Sequence, residues 1–400
     1  MKILSINTGS SSLKFKLFDM KAHSVIASLF AERIGFEKGR IEFFSMGHDE
    51  KMVFNVNIPD HKAALSVSLR KLLDSLGNTF SPLAEIKAVG HRVVHGGDRF
   101  IRPALIDKQV IEAIEDCSHM APLHNPHNLE GIRASMEIMP GIPNVAVFDT
   151  AFHQSIPPEE YIFPLPYEVY SEMGIRRYGF HGISHKYVAQ KAAELIGKSV
   201  EEINVITCHL GNGSSITAVS KGKSIATSLG YGTVGGVMMG TRPGDFDPSV
   251  LIELLENRSM GLGEVKTVLY SESGLLGVSG VSNDIRDIEE SARNGNARAK
   301  LSLELFAASV RKYIGAYAVS MGKLDAVIFT AGIGEKADKI REMICCGLEA
   351  IGAELDPGRN SLENGAAVIS SDKSKVLLLV VPTDEELMIA METTKILAGS

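Results

Sequence analysis

Lys2-Ile3-Leu4-Ser5-Ile6-Asn7 is β-rich, Thr8-Gly9-Ser10-Ser11-Ser12 breaks it with small polar residues, and Leu13-Lys14-Phe15-Lys16-Leu17-Phe18-Asp19 resumes with apolar and polar residues in alternation. Strand, Gly/Ser turn, strand is the signal of a β-hairpin. The pattern returns about 200 residues later. Asn204-Val205-Ile206-Thr207-Cys208 is a strand, His209-Leu210-Gly211-Asn212-Gly213-Ser214-Ser215 a turn, and Ile216–Ser220 a second strand. Two such hairpins suggest two related halves, although Gly/Ser hairpins are common enough that the likeness alone does not prove duplication. Downstream the chain alternates helix and strand. Leu303, Phe306, Val310, Ile314, Tyr317 and Met321 fall at three- and four-residue spacing and predict one buried helical face closed by Gly322. Ala326–Thr330 is apolar enough for a buried strand, Gly332–Glu335 reads as a tight loop, and Ile340, Met343, Ile344, Leu348 and Ile351 predict one amphipathic helix. Val376–Val381 predicts another buried strand, and Thr383-x-x-Glu386 a capping box opening a last helix. The fold class is α/β.

Composition narrows the function classes. The chain has 400 residues, is 44% hydrophobic and 22% charged, and carries a net charge of −7, which gives no global basic field for nucleic acid or an anionic membrane. Trp is absent and aromatics are 6%, so a base- or sugar-stacking surface has little support. No apolar run approaches the ~18–20 residues that span a bilayer, and the N-terminal run is too short for a secretion signal. Cys117, Cys208, Cys345 and Cys346 form no CxxC pair, which fits reduced, buried thiols in a cytoplasmic protein. Glycine is enriched, at 38 residues against a usual ~7%, and glycine gathers where backbone turns tightly or approaches a ligand.

Three loops have the composition of phosphate cradles. Thr8–Ser12 with Lys14, His209–Ser215, and Gly332–Glu335 ahead of a helix all present backbone N–H groups to an anion. None matches Walker A. Gly332-x-Gly334-x-x-Ala337 matches a degenerate dinucleotide fingerprint, but the 63 residues after Ala337 leave no room for a full dinucleotide-binding fold. Among the polar segments are His91–Gly97, Pro122–Asn128, Phe148–His153, Arg176–Gly182 and Gly240–Asp245. They hold no His/Cys zinc spacing, which argues against a structural metal, and no Gly-x-Ser-x-Gly elbow. They do supply Arg, His and Asn donors and one carboxylate after a strand, Asp149, which is the kit for clamping a transferring phosphoryl group.

At these residues the chain resembles the acetate kinases. Asn7-x-Gly9-Ser10-Ser11-Ser12-x-Lys14, Asp149 followed by Arg176–Ser184, His209–Gly213, Met239-Gly240-Thr241-Arg242 and Pro382–Leu387 fit the family in order over essentially the whole length. The resemblance implies two ribonuclease H-like domains around a central ATP cleft, one over 1–150 completed by a C-terminal helix at 385–400, the other over 151–384. It implies a homodimer that transfers phosphate from ATP to acetate with magnesium, or manganese in its place. Carried over by position, Asn7 and Glu385 would sit at the metal. Lys14, His209, Leu210, Gly211, Asn212, Gly213, Asp284, Ile285, Arg286, Gly332, Ile333, Gly334, Glu335 and Lys336 would contact ATP. Arg92, Arg242 and His181 would serve the carboxylate and the phosphoryl group, with His124 assisting. Val94, Leu123, Phe180 and Thr233 would enclose the alkyl group, and Asp149 takes the place of the family's catalytic carboxylate. Because acetate is already ionised at pH 7, Asp149 is expected to orient Arg92 or the metal shell rather than to act as a base.

Two departures bear on specificity. Ala331 and Lys336 stand where the family reads Gly and Asn, and Thr233 stands where it reads Pro. Ala331 and Lys336 bear on nucleotide preference, and Thr233 on the width and polarity of the acyl pocket; a propionate or other short-chain acid kinase is the main alternative, since one methylene in a pocket is worth only ~1–3 kcal/mol. A chaperone ATPase or an actin-like filament protein is the more distant one.

Overall fold

In the computed structural model, which describes residues 1–9, 11–45, 52–76, 85–361 and 365–399, the chain packs as two compact units. The first is Met1–Phe152 with Asp384–Ser400, and the second is His153–Thr383.

In the first unit β1 (Lys2–Thr8) and β2 (Ser12–Asp19) form the hairpin read from the sequence, in register from Lys2 opposite Asp19 to Thr8 opposite Leu13. The Gly9 amide closes it on the Ser12 carbonyl at 2.8 Å; Ser10 lies outside the described residues. The meander continues through β3 (Ser24–Glu32), β4 (Gly39–Ser45) and β5 (Met52–Val56). On its other side β1 pairs in parallel with β6 (Ile86–Val93), and β6 with β8 (Asn144–Phe148); the short β7 (Ala104–Leu105) closes that edge. The sheet order is β5-β4-β3-β2-β1-β6-β8-β7. Alternation along β2 puts Leu13, Phe15 and Leu17 inside and leaves Lys14 exposed. The helix Glu385–Ala398 lies against β1 and β6. It can do so because position 90 is glycine: a Cβ there would run into Thr393 Oγ1 and Ile389.

The second unit repeats the plan. β9 (Asn204–Leu210), β10 (Ser214–Ser220) and β11 (Lys223–Thr227) are an antiparallel meander. β12 (Ala326–Thr330) and β14 (Leu377–Val380) extend it in parallel, and β13 (Ala367–Val368) is the edge, giving β11-β10-β9-β12-β14-β13. Three antiparallel strands followed by two parallel ones occur in both sheets, which is the duplicated ribonuclease H-like pattern. The helix Ala297–Met321 buries Leu303, Phe306, Val310, Ile314 and Tyr317 as its spacing predicts, and Gly322 caps it at φ +71°. No helix among the described residues is long and apolar enough to cross a membrane.

Four local expectations are corrected. Ala331–Lys336 is a short helix following directly on β12, so Gly332–Glu335 is not a loop. Ala331 there takes φ of +63°, a left-handed conformation that costs a non-glycine residue roughly 1–2 kcal/mol. The stretch from Ile340 to Ile351 is two elements, because the helix Asp338–Cys345 stops and Gly347 at φ +93° turns the chain into a 3₁₀ turn over Leu348–Ile351. Cys345 is buried by that helix, but Cys346, beyond its end, is exposed. The last helix is capped by Asp384, whose carboxylate accepts from the Leu387 amide at 3.1 Å, rather than by Thr383.

Three fully buried imidazoles make the fold acid-sensitive. His91, His95 and His185 are at most 2% exposed. Burial pushes His91 and His95 down to about 4, and His185 well below the ordinary range. In the unfolded chain each takes a proton near ~6.5. Below that pH the unfolded state binds more protons than the folded one, so stability is lost as pH falls from about 6.5 toward 4. Urea midpoints across that window should drop steadily; a constant midpoint would contradict the burial argument.

Candidate active site

In the first unit the carboxyl ends of three adjacent parallel strands carry the polar residues, the usual place for a ligand in an α/β sheet. Asn7 is next to last in β1 and pairs in register with Lys14 on β2. Arg92 is near the end of β6, and Asp149 follows β8 with its amide held by the Val93 carbonyl at 2.9 Å. Glu385 opens the C-terminal helix. Arg92 donates from Nε and Nη2 to Asp149 Oδ2 at 3.1 and 2.5 Å, and from Nη1 to Asn7 Oδ1 at 3.4 Å. Its Nε is 4.0 Å from Glu385 Oε2. Burial would lower the pKa of Arg92, but the Asp149 and Glu385 carboxylates outweigh it and hold the guanidinium firmly charged. Glu385 is pushed up to about 7, burial prevailing over the pull of Arg92. Asp149 is 1% exposed, and its Oδ1 has no hydrogen-bond partner among the described residues. Buried polar atoms are rarely left so. Asn7 Oδ1, Asp149 Oδ1 and the Glu385 carboxylate make an all-oxygen set of the kind hard divalent cations take. Nearby, Lys16 is bound to Asp384 and Glu386 at 3.0 and 3.3 Å. Val94 is buried, with its amide on Asn128 Oδ1, while Leu123 is exposed and His124 precedes the helix Asn125–Ile138.

The second unit gathers a different group. His181 stands at φ +56° ahead of the helix Gly182–Ile196, stacked on His209 with ring centroids 4.2 Å apart. His181 Nδ1 meets Ser215 Oγ at 2.9 Å, and His209 Nδ1 meets Ser184 Oγ at 2.8 Å. Arg242 is fixed by donation from Nη1 to the Thr233 carbonyl at 2.8 Å. A Cβ at Gly213 would lie 2.8 Å from Arg242 Nη2 and 3.4 Å from His181 Nε2, so both groups face the same stretch of backbone and a side chain there would displace the guanidinium. No carboxylate pairs with Arg242 among the described residues, and burial lowers its pKa. A half-buried guanidinium without a counter-ion, beside an imidazole, is a place for an oxyanion. Phe180 is buried, its carbonyl engaged by His153 Nε2 at 2.9 Å. Thr233 meets Arg242 through its backbone.

A cavity of about 450 Å³ in the same unit is lined by Gly211, Asn212, Asp284, Ile285, Arg286, Gly332, Ile333 and Lys336, together with Asn283, Glu289, Ala337 and Asp338. Eight expected nucleotide residues therefore share one concavity. A Cβ at Gly332 would point into open space. Asp284 is held down at about 2 by its hydrogen bonds with Arg286, whose side chain it receives at 3.0 and 2.5 Å. Other expected nucleotide residues lie off the cavity wall. Leu210 is in the hydrophobic core, Glu335 turns back to accept from the Thr383 amide at 3.2 Å, and Lys14 belongs to the first unit.

The sequence profile of the acetokinase family matches residues 2–391. The chain belongs to that family. It is 50% identical over 396 residues to an acetate kinase from Dictyoglomus thermophilum, covering 99% of each chain. Among solved structures it is similar to Porphyromonas gingivalis acetate kinase, with TM-score 0.93, 43% identity and 99% coverage of both chains. It is also similar to a propionate kinase from Francisella tularensis, with TM-score 0.90, 41% identity and 98% coverage of both.

Within this acetokinase chain, several polar contacts escaped the sequence reading. His185 Nε2 reaches Ser215 Oγ at 2.7 Å, so one hydroxyl bridges His185 and His181. Ser184 Oγ links His209 to Thr383 Oγ1 at 2.8 and 2.9 Å. The sequence signal is the four-residue spacing of His181 and His185, although His181 stands just ahead of the helix that carries His185. Asn283, which lines the cavity and donates to Asn212 Oδ1 at 3.1 Å, is the neighbour of a quoted residue.

Proposed function

We propose that the chain is an acetate kinase that moves the γ-phosphoryl group of ATP directly to acetate, giving acetyl phosphate and ADP. A carboxylate oxygen of acetate forms the new bond to phosphorus as the bond to the β,γ-bridging oxygen breaks. Acetate arrives ionised, so no base is needed. Arg242 and His181 stabilise the charge on the equatorial oxygens in the transition state. The observation that carries the reading is Arg242, a guanidinium with no carboxylate partner among the described residues, fixed by the Thr233 carbonyl over Gly213. Arg92, held by Asp149, offsets the repulsion between two anions, and Asp149 acts as its orienter. Val94, Leu123, Phe180 and Thr233 are proposed to select the short alkyl group, and the cavity at Gly332 and Asp284 to take the nucleoside.

Magnesium fits the first-unit oxygen set, since the buried Asp149 Oδ1 is unsatisfied. Asn7 and Glu385 would hold it beside Asp149, and it would supply neutralisation of phosphate charge. Cytoplasmic location and a homodimer, resting on the family likeness, belong to the same reading. The test traps acyl phosphate with hydroxylamine in the presence of ATP, magnesium and a panel of acids. Acetate should give the highest kcat/KM, with propionate within roughly 10–200-fold of it. Hydroxamate from no short acid would end the kinase reading, and a higher value for propionate would replace acetate.

A further inference from the structure

Three side chains apart from the machinery above converge in the first unit. His61 opens the helix His61–Leu76, and His127 and Glu130 are one turn apart on the helix Asn125–Ile138. One ring nitrogen of each histidine and one oxygen of Glu130 lie within 4.8 Å of one another. His61 Nδ1 is 2.9 Å and His127 Nδ1 3.3 Å from Glu130 Oε2. The imidazole rings are 5.3 Å apart.

The other nitrogen of His61 decides what this cluster needs. Nε2 is 2.8 Å from the Gly9 carbonyl oxygen. A carbonyl only accepts, so Nε2 carries the proton. In a neutral imidazole Nδ1 is then a bare lone pair, and it faces a carboxylate oxygen. Two acceptors at 2.9 Å repel unless a positive centre lies between them. A second imidazole nitrogen is directed at the same oxygen.

We propose that His61 Nδ1, His127 Nδ1 and the Glu130 carboxylate bind a borderline divalent cation of the zinc class. Two imidazoles and a carboxylate are a zinc-type donor set, whereas magnesium takes oxygen. The Nε2–H bond to Gly9 supplies the outer contact that fixes a ligating histidine in the correct tautomer. His61 is 5% exposed and preorganised, while Glu130 is exposed and leaves the entry path and a remaining coordination position to solvent. Occupancy would also steady the first hairpin turn. His61 holds the Gly9 carbonyl, and Asn128, next to His127, donates to the Thr8 carbonyl at 2.8 Å. The site is separate from the Asn7, Asp149 and Glu385 oxygens and does not depend on the reaction proposed above.

The experiment uses the full chain, stripped with chelator and kept in excess magnesium to occupy oxygen sites. Zinc is titrated calorimetrically and cobalt by visible absorption. His127→Ala and Glu130→Gln are the variants, both at partly exposed positions, with folding checked by circular dichroism; His61→Ala is avoided because its ring is buried. Wild type should bind one equivalent that each variant binds roughly 100-fold more weakly, and the intense bands of low-coordinate cobalt should vanish with it. Binding unchanged in both variants would overturn the proposal. So would wild type that takes up no zinc, since a proton would then be the positive centre.

Discussion

Arg242→Ala should lower kcat about 10³-fold while shifting the KM for ATP by no more than about threefold. The size follows from removing a preorganised cation aimed at developing phosphoryl charge. The asymmetry follows from geometry. Arg242 faces Gly213 beside His181, whereas the nucleoside-sized cavity is walled by Asp284, Arg286, Gly332 and Ile333. The loss should not come from unfolding. Burial disfavours the charged form of Arg242, and no carboxylate compensates it among the described residues, so truncation removes a desolvated charge and should leave the thermal midpoint unchanged or raised. Function held at a cost in stability is common at active sites. Arg242→Lys should recover only part of the rate, because an ammonium lacks the planar fork. Steady-state kinetics with hydroxamate detection and a thermal melt decide it. A variant that keeps kcat but binds ATP weakly would remove the transition-state role.

Arg92→Ala should do the opposite to stability. Asp149 is 1% exposed and receives both Nε and Nη2 of Arg92 on one oxygen. Removing the guanidinium strands a buried carboxylate, which costs ~3–5 kcal/mol. Arg92→Ala with Asp149→Asn should be more stable than Arg92→Ala alone, since the stranded charge is gone, and the two changes should be clearly non-additive. Urea unfolding of the four proteins in the cycle measures this directly. Equal stability of the single and double variants would show that the pair does not organise this end of the sheet. Both variants should also lose at least ~100-fold in kcat, because a misplaced clamp forfeits orientation.

Contrasting stability effects at two arginines were not visible in the sequence, where Arg92 and Arg242 both read as clamps. The difference is whether a carboxylate is nearby, and that depends on which strand ends are brought together. Arg92 meets Asp149 because β6 and β8 are parallel neighbours. Arg242 donates to a carbonyl oxygen beside Gly213 and pairs with no carboxylate among the described residues. The same reason explains the histidine cluster. A search for local zinc spacing finds none, because His61 lies on a different helix from His127 and Glu130 and reaches them only when those helices pack.

Local chemistry, by contrast, was well expressed. The hairpins at Lys2–Asp19 and Asn204–Ser220, the buried face of Ala297–Met321 and the strand at Ala326–Thr330 follow from period-two and period-three-to-four patterns that no tertiary contact overrides. The errors came where backbone geometry is cooperative. Gly332–Glu335 looks like a loop by composition, yet Thr330 passes straight into helix through Ala331 at positive φ. The helix begins at Glu385 and is capped by Asp384 rather than Thr383, whose Oγ1 instead meets Ser184, a residue 199 positions earlier. Sequence by itself determined the two hairpins, the buried strands at Ala326–Thr330 and Leu377–Val380, the face of the long helix and the set of polar residues, because these depend on neighbours within a few positions. Tertiary structure alone decided which carboxylate each arginine meets, which hydroxyl bridges two histidines and where three metal-type donors converge, because those depend on distances between segments that the chain order does not encode.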